Sequence, residues 1–153
     1  MGFQEYNNIL VGMDGSVQSM DAFKKAVEVA RRNNAKIYVA NIIDQQFYNV
    51  MGYGSLNQNM IDSEAETAKE LIKECETYAH SVNFENVEGI VAFGSAKEVM
   101  AHDLPEKHQI DLVIVGQSGL NALERVMTGS VSSYIIREAP CDVLIVSHEE
   151  TKE

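Results

Sequence analysis

The chain has 153 residues, 45% of them apolar and 23% charged, with a formal net charge of −11 at pH 7. That length and mix describe one globular domain, 1–153, with enough chain for a sizeable core. The acidic balance argues against nucleic acid and against an anionic membrane surface as partners, because both are bound mainly through Lys and Arg.

The same charge opposes a free polyphosphate, so an anionic ligand would need local backbone amides and a divalent cation. No apolar run approaches the roughly 20 residues of a membrane-spanning helix. Met1 to Tyr6 lacks the basic start and apolar stretch of a secretory leader. Cys75 and Cys141, without metal-type spacing, fit a reducing cytoplasm better than a disulfide scaffold.

In chain order, Ile9 to Met13 reads as a first strand, ended by Asp14-Gly15-Ser16. Ser16 is the expected N-cap of a helix carrying Met20, Phe23, Val27 and Ala30 at helical spacing. Ile37 to Ile43 is the second strand. Asp44 to Ile61, rich in Gly, Asn and Gln, reads as a long loop. Ser63-x-x-Glu66 has the form of a capping box, opening a helix with Ala68, Leu71, Ile72, Cys75 and Ala79 on its apolar face. Val87 to Phe93 is strand three. A second box, Ser95-x-x-Glu98, starts a helix with Pro105 near its end. Ile110 to Val115 is strand four. A last helix through Val131, Tyr134 and Ile135 stops before Pro140, and Val143 to Val146 is strand five. The charged tail from Glu149 to Glu153 is expected to fray.

Strands alternate with helices, and strands one, four and five read as apolar on both faces. The expected architecture is α/β: a doubly wound, Rossmann-like five-stranded parallel sheet with helices on both faces and strand order 3-2-1-4-5. Such sheets take ligands beyond the carboxyl ends of their strands, where strand order reverses. Gly116-Gln117-Ser118-Gly119, nine residues, then Gly129-Ser130 falls at such an end, directly after Leu112-Val113-Ile114-Val115. Glycines let backbone approach a ligand closely, and a helix start offers free N–H groups to an anion. The segment reads as a phosphate cradle.

Four stretches together resemble the universal stress protein family, in its ATP-binding branch, over nearly the full length. They are Ile9 to Ser16, Asn41-Ile42-Ile43-Asp44, Gly116-x-x-Gly119-x(9)-Gly129-Ser130, and Ala139-Pro140-Cys141 running into the last strand. The resemblance implies a regulatory, ATP-binding protein of stress response that acts as a nucleotide-dependent switch. Asp14 would lie near the adenosine and metal side, where it could assist Mg2+, with Gly12 and Met13 lining the approach. Ile42 would face adenine. Val115, Gly116 and Gly119 would approach ribose and phosphates. Gly129, Ser130, Val131 and Ser132 would bind phosphates through N–H and hydroxyl groups. The family likeness also implies a homodimer through Val143 to Val146 and a protein partner that the sequence does not name.

The residues carry competing readings. Asp14-Gly15 is also an ordinary turn, Gly116 and Gly119 also shape a strand exit, and Ser130 is also an N-cap. Arg125 suits a phosphate or a solvated helix face equally. His80, His102, His108 and His148 show no metal spacing, and both cysteines read as packing residues. No Lys follows a glycine as in a P-loop, and no general base stands out. No residue is therefore assigned a catalytic role. The alternative function is a slow ATPase, or self-phosphorylation on Ser130, Ser132 or Ser133. A phosphoacceptor receiver domain fails because strand three ends in Ala92-Phe93-Gly94-Ser95 and strand five in Ser147-His148-Glu149, without the required Asp and Lys.

Overall fold

The computed structural model describes residues 5–44, 58–117 and 130–147. The first strand, β1 (Asn8–Gly12), ends where Asp14 and Gly15 turn the chain, Gly15 with φ +89°. Ser16 adopts extended geometry, and its hydroxyl accepts the Ser19 N–H at 3.0 Å, which caps α1 (Val17–Asn33) as the sequence predicts. Ala22, Phe23, Ala26, Val27 and Ala30 are its buried face, while Lys24, Lys25, Arg31 and Arg32 are exposed. Asn34, left-handed at φ 55°, closes the helix.

Next come β2 (Lys36–Ile43), α2 (Gln58–Ser81) and β3 (Val87–Phe93). α2 starts at Gln58, inside the stretch expected to be loop. Ser63 is therefore interior, and its carbonyl accepts the Thr67 hydroxyl, so Ser63-x-x-Glu66 is not a cap. Residues 45–57 of that loop, the tail after the last strand and Arg125 lie outside the described residues.

The next helical stretch divides into α3 (Ala96–Glu98), a π-helical turn (Val99–Asp103) and α4 (Leu104–His108). The Ser95 side chain makes no capping bond; instead Asp44 accepts the Ala96 N–H at 3.1 Å. Pro105 lies near the end of the stretch, as expected, with the last helical residue at His108. Proline has no N–H and crowds the carbonyl four residues earlier. The chain widens just before it, with the Leu104 N–H bonded to the Val99 carbonyl. β4 (Leu112–Gly116), α5 (Ser130–Glu138) and β5 (Asp142–Val146) complete the described chain.

All strand pairs are parallel, in the expected order β3-β2-β1-β4-β5. α1 and α2 pack on one face, around Ile9, Val11, Phe23, Ile37, Val39 and Ile114. The π turn, α4 and α5 pack on the other, around Leu10, Met100, Leu104, Val113 and Ile135. β5 is only half-buried because it has a single neighbouring strand, so its apolar sequence does not mean burial on both faces. At the amino ends of the strands the loops are tied down. Asp111 accepts the N–H groups of Asn7 and Asn8 at 2.9 and 3.1 Å, and the Tyr6 hydroxyl donates to Asp142 at 2.7 Å.

Both cysteines are free thiols. Burial pushes Cys75 up to about 12 and half-burial pushes Cys141 up to about 11. The thiolate is the reactive form, so at pH 8 the native protein should react with a thiol reagent far more slowly than the urea-unfolded chain. Equal rates would contradict this packing. The native chain keeps these protons while the unfolded chain loses them, so this contribution to stability falls as pH rises above about 9.

Candidate functional site

Alternation along the strands decides which side chains meet at the carboxyl edge of the sheet. Gly12, Ile42 and Val115 end three adjacent strands, β1, β2 and β4, and all three point to the face covered by the π turn and α5. At Gly12 the end of Met100 floors that corner. A methyl group there would lie 3.2 Å from Met100 Cε and 3.8 Å from Val115 Cγ1. Ile42 is half-buried and Val115 is buried.

Met13 behaves differently from the expectation that it lines the approach. Its side chain is 3% exposed and turns into the core on the α1 face, where the Ser19 hydroxyl donates to its sulfur at 3.3 Å. Its N–H bonds to the Ala40 carbonyl at 2.8 Å, and its carbonyl accepts the Asn41 side-chain amide at 2.8 Å. Met13 thus anchors the loop, and only its backbone borders the site.

Asp14 is exposed, and one of its oxygens accepts the Ser16 N–H at 2.9 Å. The turn role leaves the carboxylate at the surface. Gly116 has a packing reason to be glycine. A methyl group there would sit 2.5 Å from the Gln18 carbonyl carbon and closer still to its oxygen, on the backbone of α1. It points to the α1 face, opposite Val115. Gly119 and Gly129 lie outside the described residues. Ser130 is the first residue of α5. Val131 is exposed, and Ser132 is 9% exposed, on the same buried side as Ile135.

Residues to which the sequence assigned no role of their own hold this edge together. Asn41 ties β2 to the loop after β1, Asp44 ties the end of β2 to α3, and Met100 underlies Gly12. A polar residue in the apolar run of β2 was the available signal for Asn41. The three described histidines are surface or stacking groups, and His148 lies outside the described residues. His80 pairs with Glu85 at 2.8 Å, His102 lies 3.7 Å from Glu138, and His108 stacks on Tyr38. Among the described residues no three His, Cys, Asp or Glu side chains group as metal ligands. None of the described helices is long and apolar enough to cross a membrane.

Chemically, the edge combines an apolar corner, an exposed carboxylate and a helix start, a set suited to a ligand with one apolar and one anionic end. Residues 5–147 match the model of the universal stress protein family. A protein of Staphylococcus haemolyticus named as a universal stress protein is 42% identical over 148 residues, 97% of this chain and 88% of that one. One of Staphylococcus aureus, similarly named, is 40% identical over 145 residues, 95% of this chain and 86% of its own. Among solved structures, universal stress protein UspA from Lactobacillus plantarum superposes with a TM-score of 0.79 at 28% identity, covering 94% of this chain and 99% of that one. A universal stress protein in complex with cAMP superposes at 0.67 with 25% identity, over 94% and 98% of the two chains.

Replacing Gly116 with Ala should lower stability by about 1–3 kcal/mol, because backbone rather than a flexible side chain stands in the way. Urea unfolding would show a lower midpoint with an unchanged slope. An unshifted midpoint would mean that α1 does not approach β4 this closely.

Proposed function

We propose that this chain, which belongs to the universal stress protein family, binds an adenine nucleotide, ATP with Mg2+, and acts as a nucleotide-dependent regulatory module. The observation that carries the reading is the convergence of Gly12, Ile42 and Val115 on one face at the strand-order reversal, with α5 on that same face. The sequence pattern Gly116-x-x-Gly119-x(9)-Gly129-Ser130 and the cAMP complex among the structural relatives support it.

In this reading adenine lies against Ile42 and the backbone beside Gly12 and Met13. After Val115, Gly116 and Gly119 approach ribose and phosphates through their backbone, the side-chain space at Gly116 being taken by Gln18 of α1. The phosphates meet the N–H groups of Gly129, Ser130, Val131 and Ser132, where the helix dipole favours negative charge. Ser132, being buried, would contribute its N–H more readily than its hydroxyl.

The residues fit Mg2+ in the way nucleotide sites commonly hold it, by one carboxylate and the phosphates rather than by a protein cage. Asp14 is exposed and supplies that carboxylate. When bound, the ion neutralises phosphate charge, which matters for a chain of net charge −11.

A switch requires that the occupied and empty forms differ in affinity for a partner. The second copy is one such partner, docking through β5. This strand is at the sheet edge, half-buried and apolar from Val143 to Val146, and an open apolar edge invites pairing. The two free thiols suit a cytoplasmic setting.

The test is the melting temperature of nucleotide-stripped protein with and without MgATP. Ligand at about 100 times its dissociation constant adds roughly 2.7 kcal/mol, a visible rise. The rise should vanish in Gly129→Val. No rise in folded wild type would sink the nucleotide reading, and an undiminished rise in Gly129→Val would sink the assignment of the phosphates.

A further inference from the structure

The α3–π–α4 stretch touches three separate walls of the carboxyl edge. Its first N–H, on Ala96, is held by Asp44 at the end of β2, at 3.1 Å. Met100, in the π turn, lies under Gly12 at the end of β1. Glu98, between them, accepts the Tyr134 hydroxyl of α5 at 2.6 Å. The Tyr134 ring also meets other side chains. His102 stands edge-on to it at 5.8 Å, and Lys97 and Arg137 lie over it at 5.2 and 5.7 Å.

α5 is short, Ser130–Glu138, and Ser132 and Ile135 are its buried residues. Two such side chains, three positions apart, do little to fix the rotation of a helix about its own axis or its slide along the sheet. Tyr134 lies on a different side of the helix from Ser132 and Ile135, one turn after its start. A hydrogen bond there, to Glu98, two residues after the Ala96 N–H that Asp44 ties to the end of β2, supplies the missing restraint. The bond is short and charge-assisted, which makes it directional as well as attractive.

We infer that Tyr134 is a positioning residue. Its hydroxyl, held by Glu98, sets the start of α5 at the distance from β1 and β2 at which one ligand spans both. The inference rests on the reading that phosphates meet the start of α5 while the nucleoside lies against β1 and β2. It adds a property that reading does not contain: the α3–π–α4 stretch acts as a brace that links the two halves of the site. Loosening the brace penalises a ligand that must reach both halves and spares one that uses a single half.

Tyr134→Phe removes the hydroxyl and keeps the ring between His102, Lys97 and Arg137. The experiment is a calorimetric or fluorescence titration of wild type, Tyr134→Phe, Glu98→Ala and the double variant with MgATP and, separately, with adenosine. A lost hydrogen bond of this kind corresponds to about a three- to tenfold loss of affinity. The loss is expected for MgATP in each single variant, with adenosine affinity unchanged. The double variant should be no weaker than either single one, because both remove the same bond. A role in fold stability alone would move both ligands together, and that result overturns the inference. So does unchanged MgATP affinity in Tyr134→Phe, or additive losses in the double variant. Wild type that binds neither ligand would overturn the nucleotide reading itself, which the variants cannot do.

Discussion

The arrangement depends on one topological constraint: β1 is flanked by β2 on one side and β4 on the other. The connections leaving β1 and β4 therefore depart to opposite faces of the sheet, α1 to one and α5 to the other. Sheets of this kind take ligands where such connections part, beyond the carboxyl ends of the strands. Everything at the candidate site follows from this. Gly12, Ile42 and Val115 point to the α5 face, and Met13 and Gly116 point to the α1 face. On the first face the end of Met100 lies under Gly12, and on the second the backbone of α1 rests on Gly116.

Much of this was legible in the sequence because the signals are local or periodic. The Ser16 cap, the apolar faces of α1 and α2, and the alternation of strands and helices depend on neighbours a few residues apart. The failures come from the same locality. Ser63-x-x-Glu66 and Ser95-x-x-Glu98 have the spacing of capping boxes, but polar residues three apart also occur inside any amphipathic helix. Ser63 is interior to α2, and at Ala96 the capping oxygen comes from Asp44, 52 residues earlier. Only the folded sheet brings that residue to the helix.

Glycines show the ambiguity most plainly. Gly116 reads from sequence as room for a ligand, and its surroundings show that it is also room for the backbone of Gln18. Both demands remove the side chain at that position, so composition alone cannot separate them. Gly12 is different. What lies beyond it is the flexible end of Met100, with Val115 close by, so the contact there is with side chains rather than with helix backbone. Burial was similarly illegible in β5. An apolar strand looks the same at the centre of a sheet and at its edge, and only topology places this one at the edge.

An acidic chain that binds an anion must do so with groups whose charge is not counted in its composition. Backbone N–H groups at a helix start and a metal ion brought by the ligand are such groups. The described part of the site offers few competing attractions. Asp14 is its exposed carboxylate, and the bonds made by Asn41 and Asp44 are spent on holding loops in place. The measurement that tests this account most directly is an amide chemical-shift titration of isotope-labelled protein with MgATP. The account predicts saturable shifts at Gly12, Asp14, Gly116 and Val131, at the carboxyl edge of the sheet, with Asn7 and Asp111 at the amino edge unmoved. Shifts confined to the amino edge, or none at all, would contradict it.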